Sequence, residues 1–196
     1  MLVDYGAGNL RSVTSALARA GVAATVTADS TAVQETRLAV IAGVGNAESA
    51  ARRLEAGGLA DVLRERVAAG RPVLGICLGM QLLFEESDEG GRGLGVLHGP
   101  VKRLRAERVP HMGWNTLRVT APSVLLDGLD GADVYFAHSF ACEPADGVAV
   151  AEVDHEGVVV AAVERGAVAG VQFHPERSAA PGAYILRNAV AWSRSA

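Results

Sequence analysis

The sequence predicts an α/β fold in one domain, 1–196, with a central, mostly parallel sheet flanked by helices and antiparallel strands added to it. Two patterns point there. In the first half, short runs rich in Val and Ile alternate with stretches whose apolar residues recur at helical spacing, the pattern of parallel strands covered on both faces. In the second half the helical spacing gives way to strand-like segments separated by Gly, Asp and Pro turns, as antiparallel neighbours are.

Taken in order, Leu2-Val3 ends a first strand. Asn9 can cap a helix carrying Leu10, Val13, Leu17 and Ala20 on one face, which Gly21 stops. Residues 23–27 and 38–42 read as strands, and residues 47–69 as helix broken at Gly57-Gly58. Residues 72–76 form a fourth strand and 79–85 a short helix. Strands then follow at 101–104, 116–119, 134–140, 148–153, 158–163 and 168–173. A closing helix over 182–193 places Ile185, Leu186, Ala189 and Trp192 on one face. No repeat, low-complexity tract or linker divides the chain.

Composition narrows the function classes. Hydrophobic residues make up 49% and charged residues 20% of 196, enough to fill a core and unlike a disordered chain. Eighteen basic against 22 acidic residues, with no basic block, give no footprint for nucleic acid. Cys77 and Cys142 share no CxxC spacing, so neither a disulfide scaffold nor a zinc site is expected, and one reactive thiol is the open possibility. The opening residues carry no basic and apolar signal regions, and no apolar run approaches the roughly 20 residues of a membrane span. A cytoplasmic setting is expected.

Two stretches carry chemistry. Gly75-Ile76-Cys77-Leu78-Gly79 joins an apolar strand to a helix in the G-x-nucleophile-x-G form of a nucleophile elbow, with cysteine as nucleophile. The flanking glycines leave room for a tight turn, and the helix start supplies N–H groups that favour a thiolate and can bind an oxyanion. A lone cysteine in an apolar run also reads as a small buried hydrophobe, and the elbow alone does not separate the two. His174-Pro175-Glu176 follows the strand at 168–173. In extended chain, residues i and i+2 point the same way, so Glu176 can orient His174, and Pro175 keeps a helix from starting there. Read alone, His174 is a structural or surface histidine, and His-x-Glu without further ligands is no metal site. Together, at the carboxyl ends of two parallel-type strands, these residues compose a Cys-His-Glu triad.

With these motifs in hand, the chain resembles the class I glutamine amidotransferases: GICLGMQ at 75–81 and GVQFHPE at 170–176 are their motifs. DYGAGNLRSV at 4–13, CLGMQLLFEES at 77–87, PHMGWN at 110–115 and YFAHS at 135–139 resemble, more narrowly, the glutaminase subunits of imidazole glycerol phosphate synthases. The resemblance runs nearly end to end and implies a class I glutaminase fold without cofactor. It implies that Cys77 attacks the L-glutamine carboxamide, His174 protonates the departing ammonia, and water clears a glutamyl thioester. It places the oxyanion at Gly43, Val44 and Leu78, and the glutamine at Gly45, Gln81 and Glu89. It further implies a heterodimer with a (β/α)8-barrel cyclase subunit, which uses the ammonia to make imidazole glycerol phosphate and an aminoimidazole carboxamide nucleotide for histidine synthesis. Asn9, Trp114, Asn115, Tyr135 and Arg177 would face that partner. Trp114 beside a strand also reads as core, although its neighbours look like a loop. His111 and His138 are read as structural groups, not as bases.

Three departures stand out. Only three residues precede Asp4, Ala42 replaces the proline usual before Gly-Val-Gly, and Arg177 replaces a lysine. Other readings stay open. Gly6-Ala7-Gly8, with Asp29 about 20 residues on, partly fits a dinucleotide fingerprint, but Arg11 occupies its third glycine position. The same triad also serves amidotransferases with other acceptors, and an inactive assembly subunit is the non-enzymatic alternative.

Overall fold

The structure, a computed structural model, describes residues 1–145 and 147–194; residues 146, 195 and 196 of the predicted domain lie outside the described residues. The first half alternates as its sequence pattern requires: β1 (Leu2–Val3), α1 (Leu10–Arg19), β2 (Val26–Thr27), α2 (Ser30–Glu35), β3 (Ala39–Gly43), α3 (Ala47–Ala56), α4 (Leu59–Ala68), β4 (Val73–Cys77) and α5 (Leu78–Gln81). The second half is mainly strand: β5 (Glu86–Ser87), β6 (Pro100–Arg103), β7 (His111–Thr116), β8 (Arg118–Val119), β9 (Asp133–His138), β10 (Phe140–Cys142), β11 (Ala149–Asp154), β12 (Val158–Arg165) and β13 (Val168–Val171). A 3-10 turn, Pro175–Arg177, and α6 (Ala179–Trp192) complete it.

The main sheet has eight strands in the order β2-β1-β3-β4-β13-β12-β11-β8. From β2 to β13 neighbours are parallel; β12, β11 and β8 add on antiparallel. Every residue of β3, β4 and β13 is buried, which is why these strands read as unbroken apolar runs. On one face, Val40, Leu74, Ile76 and Val171 pack with Val13 and Leu17 of α1 and Ile185, Leu186 and Trp192 of α6. On the other, Ala39, Ile41, Val73 and Val168 pack with Leu54, Leu59 and Leu63 of α3 and α4. Burying each such Leu, Ile or Val side chain stabilises the fold by about 1.5–3 kcal/mol.

α4 also turns a charge inward. Arg66 is fully buried, and its guanidinium donates to the carbonyls of Val33, Gln34 and Thr36 at 2.8–2.9 Å and of Pro72 at 2.9 Å. It thereby satisfies the C-terminal carbonyls of α2, which a six-residue helix leaves without intrahelical partners. Burial, with a smaller contribution from Arg71, lowers its pKa to about 10, so the side chain stays charged at neutral pH.

Several expected boundaries move. The helix over 47–69 divides where Gly58 adopts φ 67°, as its glycine pair foretells. The segment α2, which the sequence reading passes over, buries only Val33 and so shows no helical period. The strand expected at 134–140 is two, because the chain leaves β9 at Ser139 and pairs as β10 with β6 in a separate three-stranded sheet. The strand expected at 116–119 also divides: Thr116 ends β7, and Arg118–Val119 join the main sheet. The stretch around Trp114, read as a loop, is strand β7, paired antiparallel with β9 in a two-stranded sheet. The helix expected at 79–85 is only Leu78–Gln81, and the strand expected at 168–173 stops at Val171.

Candidate active site

Cys77 is the last residue of β4 and the cap of α5, with φ 54° and ψ −111°. A non-glycine residue there is strained, and the surrounding packing must hold it. The glycines beside it are needed for close approach. A Cβ on Gly79 would lie 1.8 Å from the Ile41 carbonyl oxygen, and one on Gly75 would lie 2.5 Å from the Gly79 carbonyl oxygen. The elbow therefore sits flush against β3, and Gly43 of β3 is in register with Cys77. Leu78 opens α5, where the first N–H groups lack intrahelical acceptors.

β13 lies beside β4, and the chain leaving it carries His174. His174 Nδ1 and Glu176 Oε1 are 2.8 Å apart, with both side chains more than nine-tenths buried. They meet by a route the sequence reading did not foresee: Pro175 opens the 3-10 turn as its first residue, where a missing N–H costs nothing. Burial pulls the His174 pKa down, but hydrogen bonds and charge from Cys77 and Glu176 outweigh it and raise it to about 10. The imidazolium beside a sulfur and a carboxylate is thus the favoured form. The backbone of His174 is fixed by β9: its N–H donates to the Tyr135 carbonyl at 2.8 Å, Ser178 Oγ donates to the His174 carbonyl at 2.6 Å, and Tyr135 N–H donates to Ser178 Oγ at 2.9 Å. Ser178 is invisible to motif reading because it lies outside the His-Pro-Glu run.

A cavity of about 420 Å³ opens over the sulfur, lined by Val44, Gly45, Cys77, Leu78, Gln81, Glu89 and, from the far side, Arg103, Met112 and the 137–140 segment. The expected oxyanion residues Val44 and Leu78 and the expected glutamine-binding residues Gly45, Gln81 and Glu89 all border it. Gly43 lies behind, where a Cβ would be 2.4 Å from the Tyr5 hydroxyl. One oxygen of Glu89 accepts from the Ala47 N–H at 2.5 Å, which ties the carboxylate to the start of α3. Gln81 is turned toward the protein, where its Nε2 donates to the Phe140 carbonyl at 3.0 Å and to Gln172 Oε1 at 3.1 Å.

The 42–48 stretch lacks proline at Ala42 but is braced from outside. Tyr5 Oη donates to the Ala42 carbonyl at 3.2 Å, and Arg53 Nη1 donates to the Gly6 carbonyl in the loop that carries Tyr5. Gly8 belongs to the same brace: a Cβ there would lie 2.4 Å from the Ala42 oxygen. Gly8 thus serves backbone packing against β3, and Gly6, at φ 78°, lies against the Arg53 guanidinium, which weakens the dinucleotide reading.

His138 borders the cavity, and His111 lies behind it. Their Nε2 and Nδ1 atoms are 2.9 Å apart; His138 Nδ1 reaches the Phe140 carbonyl at 2.8 Å, and His111 stacks between Phe136 and His155. Burial, then the neighbouring imidazoles His138 and His155, lowers His111 to about 3. Burial, opposed by the Phe140 hydrogen bond and aided by His155 and His174, lowers His138 to about 4. Both are neutral near pH 7 and are suited to holding geometry.

The expected partner-facing residues fall in two groups. Trp114 is 55% exposed, its ring edge-on to Tyr135 at 6.1 Å, and the Arg177 guanidinium lies 4.0 Å from the Tyr135 ring centre. Asn9, which caps α1 through Ser12 N–H, borders a shallow polar depression with Arg177, Arg11 and Arg19. Asn115 turns to the opposite face of β7, where Nδ2 donates to the Asp154 carbonyl at 2.8 Å and lies 3.3 Å from His111 Nε2. Among the described residues, no cluster of three or more His, Cys, Asp or Glu is placed to hold a metal, and no helix is long and apolar enough to cross a membrane.

The family model for class I glutamine amidotransferases matches residues 1–192. Imidazole glycerol phosphate synthase subunit HisH of Geobacillus kaustophilus is 45% identical, over 96% of this chain and 94% of its own. The HisH subunit of Xanthomonas axonopodis pv. citri is 47% identical over 95% and 94%, and that of Methanothermobacter thermautotrophicus 42% over 96% of each. Among solved structures, a glutamine amidotransferase crystal structure superimposes with a TM-score of 0.78 at 24% identity, covering 96% of this chain and 98% of its own. PurLQS from Thermotoga maritima does so with 0.76 at 20%, covering 97% and 96%. At such identities the two structures speak for the fold.

Proposed function

The chain belongs to the class I glutamine amidotransferases, and from that premise we propose that it is the glutaminase subunit of an imidazole glycerol phosphate synthase in histidine biosynthesis. The observation that carries the chemistry is the meeting of Cys77 with the His174–Glu176 pair at the carboxyl ends of two adjacent parallel strands. The Cys77 sulfur attacks the carboxamide carbon of L-glutamine. His174, held protonated by its neighbours, gives its proton to the departing ammonia; Glu176 fixes the ring and stabilises its charge. A water activated by the now neutral imidazole then cleaves the glutamyl thioester and releases glutamate. Backbone N–H groups of Val44 and Leu78 are the proposed oxyanion donors, with Gly43 giving the elbow room; Gly45, Gln81 and Glu89 border the glutamine pocket.

The name shared by the relatives, a synthase subunit, supports a partner that consumes the ammonia. We infer a (β/α)8-barrel cyclase in a cytoplasmic heterodimer, docked on the face that exposes Trp114, with Tyr135, Arg177 and Asn9 beside it. The proposed chemistry draws on no cofactor, and the whole chain is proposed to act as one amidotransferase unit. The test is Cys77→Ala in complex with the cyclase subunit. Glutamine-dependent synthesis of imidazole glycerol phosphate is expected to vanish while added ammonia still supports it. Undiminished glutamine turnover by the variant would remove Cys77 as the nucleophile.

A further inference from the structure

Gln172 is fully buried in the strand extension between β13 and His174, and the triad chemistry makes no use of it. A carboxamide in that place needs a partner for each end. Its Oε1 accepts from Gln81 Nε2 at 3.1 Å, and its Nε2 lies 3.7 Å from Cys77 Sγ, within hydrogen-bonding reach of sulfur. The polarity of this chain is set at its far end. The Phe140 carbonyl can only accept, so the end of Gln81 facing it must be the NH2 group. That NH2 group also faces Gln172, which must therefore present oxygen to it. The remaining NH2 of Gln172 is left aimed at the sulfur. A second donor, His138 Nδ1, holds the same Phe140 carbonyl in place at 2.8 Å.

We propose that Gln172 is a positioning residue of the glutaminase reaction, whose side-chain N–H, oriented through Gln81 by the Phe140 carbonyl, donates to the Cys77 sulfur and favours its anionic, attacking form. The proposal rests on Cys77 being the nucleophile. An N–H aimed at a thiolate stabilises it without adding a proton that could be lost, and it fixes the direction of the sulfur lone pairs. Gln81 thereby acquires a second role, since its amide, beside the pocket, sets the aim of Gln172. The titratable groups around the sulfur are His174 on the turn after β13, Glu176 behind it, Tyr5 after β1, His138 on β9, Cys142 on β10, and Glu89 and Arg103 across the cavity. None of these changes in a Gln172 variant.

The experiment uses the complex with the cyclase subunit and compares wild type, Gln172→Met and Gln172→Glu. The pH dependence of Cys77 alkylation by iodoacetamide is followed by mass spectrometry, with buried Cys142 as an internal reference for unfolding. Methionine keeps the volume and removes the donor, so the alkylation midpoint should rise by about one pH unit, about tenfold less thiolate at pH values well below it. Glutamate replaces the donor by a negative charge and should raise it further. kcat for glutamine should fall at least tenfold with KM changed less than threefold, while ammonia-dependent synthesis is kept. An unchanged midpoint in Gln172→Met with ammonia-dependent synthesis intact overturns the proposal, since a packing role alone predicts that result. If Gln172→Met loses its fold, the uncharged Gln172→Leu decides, since it removes the donor without adding a charge: a raised midpoint supports the proposal and an unchanged one overturns it. Wild type with an unreactive Cys77 and no glutamine turnover would instead refute the triad itself.

Discussion

Replacing Gly79 by alanine probes the elbow with a single methyl group. A Cβ at residue 79 would lie 1.8 Å from the Ile41 carbonyl oxygen and 2.7 Å from its carbon, whereas real Cβ atoms essentially never come within 3.0 Å of a neighbour. Both obstructing atoms are backbone of a central, fully buried strand, so no side chain can swing aside. The start of α5 must move away from β3 by more than an ångström, carrying the Leu78 N–H and the Cys77 sulfur with it. Overpacking of this kind costs about 1–3 kcal/mol. For a chain of this size that lowers Tm by roughly 3–10 °C. The larger effect falls on chemistry, because a misplacement of about 1 Å at a reacting centre costs on the order of 100-fold in rate. The assay is glutamine turnover and ammonia-dependent synthesis in the cyclase complex, with calorimetry on the same samples. The expected result is glutaminase activity down about 100-fold, a lowered Tm and retained ammonia-dependent synthesis. Full glutaminase activity at an unchanged Tm would refute the close-approach reasoning.

Two other consequences are open to measurement. Arg66→Met removes the donor that serves the carbonyls of Val33 and Thr36, while Gln34 keeps Arg71 and Pro72 keeps the Ala39 N–H; acceptors left unpaired cost about 1–3 kcal/mol each. Urea denaturation should register a loss of several kcal/mol, and a loss under about 1 kcal/mol would contradict the capping role given to this side chain. His111 and His138 have folded pKa values of about 3 and about 4, below the unfolded value of 6.5. Folded chains therefore bind fewer protons than unfolded ones in that window. Stability from this pair is complete above pH 6.5 and drains away as pH falls toward 4 and then 3, at up to about 1.4 kcal/mol per unit for each histidine. A His111→Phe/His138→Gln double variant should show a shallower loss between pH 6.5 and 4 in pH-dependent urea melts; an identical slope would argue against neutral burial.

How far the sequence discloses all this depends on what each residue's role leaves in the local pattern. The elbow is legible because β4 is buried on both faces, which writes an apolar run, and because close approach writes a glycine at 75 and 79. The Cys77–His174 pairing is legible only through motifs, since nothing local says that β13 inserts beside β4. Strand β7 is hidden because Gly113, with φ 129°, and its polar residues resemble a loop, while Trp114 points outward. Arg66 is hidden by its type: a charged residue on a helix reads as a solvated face, and only distant carbonyls reveal why it turns inward. Gln172 is a polar residue between apolar neighbours, and its purpose lies in the directions of two amides, which no spacing encodes.

The place of β13 between β4 and β12 also orders events in time. Val73 and Val168 are register partners, so the two halves of the proposed triad arrive from strands separated by about half of the chain. Closing so long a loop is slow, and it cannot begin until that later strand has left the ribosome. Before then β4 is a bare apolar edge, open to pairing with another chain. During synthesis, the proposed nucleophile thus exists for some time without its proposed base. The proposed catalytic pair is assembled in the same step that seals the sheet, so on this assignment a nascent or truncated subunit that lacks β13 holds a thiol but cannot release ammonia.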